Sequence, residues 1–133
     1  MKIEVLVATM FNNDIEKLYK TMNLKTDAIF VNQCDCLKEE IKEIKIKDNR
    51  IKIIMTKERG ISKSRNKALQ NVSKNTDIII FSDDDIKFSD DYCKEIESAY
   101  INTECDGIVF NVKKADGKLN KKISKIVNQI NLF

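Results

Sequence analysis

The 133-residue chain contains no histidine, no proline and only three glycines. Without an imidazole, Ser/His and Cys/His nucleophile pairs are excluded, and so is histidine as a general base. Acid-base work falls to carboxylates, Lys, Tyr or Cys. The commonest partner ligand for zinc is missing too, and Cys34-Asp35-Cys36 is spaced too closely for the usual zinc pair. With Cys93 and Cys105 the cysteines number four, and since nothing signals secretion they are expected as free thiols. The lack of proline, with Gly60, Gly107 and Gly117 all at element boundaries, leaves no flexible linker or low-complexity segment, and no internal repeat is present. No apolar run approaches the ~20 residues needed to cross a membrane. The opening Met1-Lys2-Ile3-Glu4-Val5 carries charges within its apolar run and no small-residue cleavage site, so a cytoplasmic protein without a signal peptide is expected.

What remains is globular: 42% hydrophobic and 34% charged residues, in a length suited to one domain. The net charge is only +3, with the signs interspersed, which argues against nucleic acid as a partner. The surplus is uneven, for residues 113–133 hold six Lys against one Asp.

Hydrophobic periodicity alternates between strand and helix. Ile3–Ala8 reads as a strand, and Asn12 or Asn13 caps a helix in which Ile15, Leu18, Tyr19 and Met22 share one face. Ala28–Val31 is a second strand, and Leu37, Ile41 and Ile44 suggest a second helix. Ile51–Met55 is a third strand. A helix after Gly60, with Ser62 as a plausible cap, places Ile61, Ala68, Leu69 and Val72 together. A fourth strand covers Ile78–Phe81, a helix carries Tyr92, Ile96, Ala99 and Tyr100, and Gly107–Val112 reads as a fifth strand. Such alternation implies right-handed βαβ crossovers and a mainly parallel α/β sheet with helices on both faces.

The chemistry concentrates at Ser82-Asp83-Asp84-Asp85, which follows the β-branched run Ile78-Ile79-Ile80. That run suits the interior of a parallel sheet, and open α/β sheets bind ligands at the carboxyl ends of their strands. Adjacent anions repel, so a cation is expected among them; Mg²⁺ or Mn²⁺ carrying a phosphorylated ligand satisfies both charges. The plainer alternative is a solvated turn that caps the next helix near Ser89 and Asp90. Arg65 is the odd residue of the preceding helix, about 40° from Ile61 on the apolar side, where a cation needs an anion. It serves either a bound nucleotide or a structural ion pair with Asp83.

Gly60-Ile61-Ser62-Lys63-Ser64-Arg65-Asn66-Lys67-Ala68, followed by the strand ending in Asp83-Asp84-Asp85, resembles the nucleotide-sugar-binding half of family 2 glycosyltransferases of the GT-A fold. Val5–Asn12 is similar to that family's first strand and loop, and the likeness is greatest to bacterial enzymes of capsular and surface polysaccharide synthesis. The resemblance implies a GT-A (Rossmann-like) sheet truncated after the donor-binding half, with 1–112 as the nucleotide-sugar-binding half-domain. It implies that Thr9 lines the nucleotide pocket, that Asp83 faces the ribose, and that Asp85, with Asp83, holds Mn²⁺ or Mg²⁺ at the diphosphate. Asp84 is then the variable middle position, Arg65 contacts base or diphosphate, and Asn32 or Gln33 replaces the usual base-reading Asp. The implied partners are a nucleoside-diphosphate sugar, UDP-sugar foremost, and a glycan or lipid-linked acceptor. No catalytic base is evident. A non-catalytic nucleotide-binding module, a subunit completed by another chain, and a phosphotransfer metal site are the competing functions.

Residues 113–133 read as a basic amphipathic helix. Leu119, Ile123, Ile126, Val127 and Ile130 fall within about 100° of one another, with Lys118, Lys121, Lys122 and Lys125 outside the stripe. Such a helix either packs on the domain or on a second copy of it, or attaches peripherally to an anionic membrane through 117–133. Packing is the expectation, because an apolar helix face is usually core. Deleting 117–133 is therefore expected to lower melting temperature or solubility without lipid. An unchanged melting temperature and oligomeric state, with lost sedimentation on anionic vesicles, instead gives the membrane reading.

Overall fold

The computed structural model describes residues 1–114 and 116–118. The amphipathic stretch from Leu119 onward therefore lies outside the described residues. The chain divides after Asp90 into two compact units.

The first unit is a five-stranded sheet of order β3-β4-β2-β1-β5, made by β1 (Ile3–Met10), β2 (Asp27–Gln33), β3 (Glu40–Ile46), β4 (Asn49–Thr56) and β5 (Ile78–Asp83). Helix α1 (Ile15–Thr21) links β1 to β2, and α2 (Ile61–Leu69) links β4 to β5. The pairs β1·β2, β1·β5 and β2·β4 are parallel, and only β3 runs antiparallel to its neighbour. Its central strands are apolar on both sides because both sides are covered. Val5, Val7, Ala28, Phe30 and Ile51 fill one face, while Leu6, Ile29, Val31, Ile54 and Ala68 form the core of the other.

The two crossovers run in opposite directions across the sheet, so right-handed connections put α1 and α2 on opposite faces. Side-chain hydrogen bonds agree. Asn49, at the start of β4, donates to the Tyr19 hydroxyl of α1 at 3.1 Å, and that hydroxyl donates to Thr26 O at 2.8 Å. Lys52, three positions on and so on the other face, donates to Asn71 O just past α2 at 2.7 Å.

Helix α1 starts at Asp14, whose carboxylate accepts from Lys17 N at 3.1 Å, rather than at Asn12 or Asn13. Its expected face is the buried one, through Ile15, Tyr19 and Met22. Helix α2 begins at Gly60, at φ 117, a conformation that favours glycine, and has no side-chain cap; Ser62 does not serve. It buries Ser64 and Ala68, while Ile61 and Leu69 are exposed.

Three expectations are corrected. Residues 37–44 are not helical: Glu40–Ile46 is the edge strand β3, paired with β4 around a hairpin whose closing pair is Ile46 and Asn49. Isoleucines three apart fit either state, and the ladder to β4, with β-branched Ile41, Ile44 and Ile46, decides for the strand. Leu37, counted on the helix face, is fully exposed. Second, β5 pairs only with β1 among the described residues, so the isoleucine run forms an edge rather than an interior strand, and Ile79 and Phe81 are exposed. Third, Gly107–Val112 forms no strand, and its Val109 is exposed.

In the second unit, α3 (Tyr92–Ile101) buries Tyr92 and Ile96, one turn apart. Among the described residues no helix is long and apolar enough to cross a membrane.

Phe30→Ala, which removes a ring from a fully buried position, is expected to lower unfolding stability by about 3–5 kcal/mol in denaturant titration. Leu37→Ala is expected to change it by no more than about 0.5 kcal/mol. A core-sized loss at Leu37 would restore a packed helix there.

Candidate functional site

Parallel pairing sets the site before any side chain is considered. The register places Thr9 beside Asn32, Ala8 beside Asp83 and Gln33 beside Thr56, so the carboxyl ends of β1, β2, β4 and β5 form one rim. From β1 the chain winds outward through β2 to β4, then returns past β1 to add β5 on its far side. The winding therefore reverses between β1 and β5, where an open sheet parts its loops and leaves a crevice. A cleft of ≈ 570 Å³ lies there, lined by Thr9, Met10, Gln33, Arg59, Gly60 and Asp83–Asp85, with Ala8 and Ile61. That volume is within the ordinary range for small-ligand sites.

The acidic wall is held at both ends. Thr9 Oγ1 donates to Asp84 Oδ2 at 2.8 Å, which ties the turn after β5 to the end of β1. Farther along the loop, Phe88 N donates to Met22 O at 2.9 Å, and Asn23 Nδ2 donates to Phe88 O at 3.0 Å and to Asp90 Oδ1 at 2.9 Å. Asn23 takes the left-handed backbone conformation, φ 59, which asparagine tolerates better than most residues. The Asn23 amide, and then the Lys25 ammonium, hold the Asp90 carboxyl below its ordinary range. A lowered carboxyl pKa stabilises the fold above the unfolded value, and the contribution fades as pH falls through the acid range. Asp83, Asp84 and Asp85 all remain exposed.

The opposite wall is the start of α2. Gln33, buried at the end of β2, donates through Nε2 to Ser64 Oγ at 2.6 Å and accepts from Gly60 N at 3.4 Å, bracing the first turn. Its neighbour Asn32 points to the other face. There its Nδ2 donates to Asn12 O at 2.6 Å and its Oδ1 accepts from Asn12 N at 3.1 Å, which holds the loop after β1. Farther along α2, Lys67 pairs with Glu39 and, at 3.8 Å, with Glu58; the Glu39 carboxylate pushes the Lys67 ammonium up.

Of the residues singled out in the sequence, Thr9, Gln33, Asp83, Asp84 and Asp85 line the cleft together. Asn32 lies behind the rim. Arg65 is exposed and sits over the Phe81 ring at 5.7 Å, with no ion pair among the described residues, so it does not brace Asp83. Arg59, one position before the Gly60 motif and not among the residues singled out in the sequence, also lines the cleft. Its signal was the lone cation flanking that glycine.

Among the described residues no three carboxylate or thiol groups converge as a metal cage. The donors at the rim are nonetheless hard oxygens. Mg²⁺ in particular is commonly held by one or two carboxylates together with a ligand's phosphates rather than by an all-protein cage. With Asp84 engaged by Thr9, Asp83 and Asp85 fit that kind of shared site.

No curated protein and no solved structure matches the chain significantly. The sequence model of Glycosyl transferase family 2 matches residues 9–131. The rim at the β1/β5 reversal and a match over nearly the whole chain lead to one assignment: this chain belongs to glycosyltransferase family 2.

Proposed function

We propose that the first unit binds the donor of a glycosyl transfer, a nucleoside-diphosphate sugar with UDP as the foremost nucleotide and GDP as the alternative. The observation that carries this reading is the trio Asp83–Asp85 at the β1/β5 rim of a family 2 domain, with Thr9 fixing the middle carboxylate. Asp83 faces the ribose, and Asp85 with Asp83 holds a divalent ion. Such an ion, Mn²⁺ or Mg²⁺, would neutralise the diphosphate and ease its departure as leaving group. Thr9 sets the position of the acidic turn. Gln33, with an amide that both donates and accepts, faces the base side of the cleft. Asn32 supports the loop after β1 through Asn12, and Arg65 approaches the nucleotide by leaving Phe81. The acceptor is a glycan or lipid-linked hydroxyl, and a role in polysaccharide synthesis at the cytoplasmic side belongs to the same proposal.

One observation favours a second reading. The ionisable groups lining the cleft are the three aspartates and Arg59, so among the described residues no further carboxylate stands ready to take the acceptor's proton. A binding module, or a donor-binding part completed by another chain, fits that lining equally. Hydrolysis or transfer from a UDP-sugar by the purified chain supports the enzyme; binding without turnover supports the module.

Titration calorimetry is expected to detect UDP binding in Mn²⁺ and a loss of at least about tenfold, about 1.4 kcal/mol, in excess chelator. Equal affinities in both conditions remove the metal from the proposal. Asp85→Asn is expected to weaken Mn²⁺-dependent binding to a similar degree without lowering the melting temperature, since the side chain is exposed.

Arg65→Ala is expected to reduce UDP affinity while costing no more than about 1 kcal/mol of stability, the worth of an exposed cation–π contact. Lost stability with unchanged UDP affinity would make Arg65 a strut on Phe81.

A further inference from the structure

We propose that Arg59 is the cleft's own diphosphate-binding cation, facing the aspartate wall from the loop before α2. The inference rests on the donor-binding reading above and names a residue which that reading does not use. Charge is the first argument. The described residues lining the cleft include three carboxylates and a single cation, Arg59. A diphosphate brought to the aspartates adds two or more negative charges, which one divalent ion shared with Asp83 and Asp85 does not balance. A second positive group on the far side of the ligand relieves the remainder.

Geometry is the second argument. Arg59 Nη1 donates to Lys57 O at 3.0 Å and to Cys34 O at 3.3 Å, Nη2 donates to Asp35 Oδ1 at 2.9 Å, and the guanidinium lies 5.2 Å from the Phe11 ring. Three of its five N–H donors are thus engaged, and two remain for a ligand. Asp35 does not cancel the charge, because its side chain is 86% exposed and the pair is screened by water. A flexible cation loses side-chain entropy when it grips a phosphate. Arg59 is already ordered by two backbone carbonyls and a ring, so less is lost on binding.

The position is reinforced by backbone on either side. Phe11, whose ring Arg59 covers, sits at φ 47, rare for a bulky residue, and its N–H donates to Gln33 O at 2.8 Å. Gly60, next to Arg59, turns the chain at φ 117 into a helix with no acidic residue in its first turn. The helix N-terminus and the guanidinium therefore present positive potential to the same cleft. Arg65, the other arginine of the motif, is turned onto Phe81 and does not line it.

The test compares UDP with uridine, which lacks the phosphates, on wild type, Arg59→Met and Arg59→Lys in Mn²⁺, using calorimetry for UDP and ligand-observed NMR for the weaker uridine. Arg59→Met is expected to lower UDP affinity about tenfold or more, the size of a lost charge-assisted hydrogen bond, and uridine affinity less than about twofold. Arg59→Lys keeps the charge without the fork and is expected to lose about threefold for UDP alone; it carries the test if Arg59→Met does not fold. A parallel fall for UDP and uridine, or no fall for either, overturns the assignment and makes Arg59 a loop strut. Failure of wild type to bind UDP overturns the donor-binding reading itself and this one with it, an outcome distinct from UDP binding that is indifferent to residue 59.

Discussion

Everything at the rim depends on the register of β1 between its two parallel neighbours. With Thr9 level with Asn32 and Ala8 level with Asp83, the ends of three strands meet at one height. The crossovers that leave β1 and β4 are then sent to opposite faces by their common handedness. A one-residue slip of β1 would turn Thr9 toward the other face and Ala8 toward Asp84. The hydrogen bond from Thr9 to Asp84 is therefore both a consequence of the register and a lock on it.

The resulting crevice separates unlike charges. Asp83 at the end of β5 and Asp84 and Asp85 in the turn after it line one side, and Arg59 stands with the N-terminus of α2 on the other. Neither wall is a loose surface loop. Asn23 and Met22 secure the far end of the acidic loop, while Gln33 clamps Gly60 and Ser64 on the basic side. Polar side chains that in many proteins face solvent are here buried to hold backbone at the rim, Gln33 (6% exposed) the start of α2 and Asn32 (1% exposed) the loop after β1. A site built this way has its charges positioned before the ligand arrives, which lowers the ordering cost of binding.

Local signals in the chain were sound where local physics decides. The i, i+3, i+4 and i+7 spacing of Ile15, Leu18, Tyr19 and Met22 names the buried side of α1, and the isoleucine run before Ser82 is a strand with the aspartates at its tip. They failed where a partner far along the chain decides. Ile41 and Ile44 satisfy a helix as well as a strand until β4 pairs with them. Arg65, counted onto the apolar side of α2 from Ile61, is exposed because the helix seats Ser64 and Ala68 against the sheet instead of Ile61.

The sequence alone determined the opening strand–helix–strand, the helix after Gly60, the acidic strand tip and the family to which the Gly60–Ala68 and Asp83–Asp85 segments belong, because each of these is written in neighbouring residues. Only the tertiary structure decided that β5 is an edge among the described strands and that Gln33 grips a helix start while Asn32 grips a loop. It also decided that Arg59, not Arg65, is the cation in the cleft wall. The reason is that strand order, side-chain facing and the approach of two loops are set by pairings between segments tens of residues apart, and no local period records them.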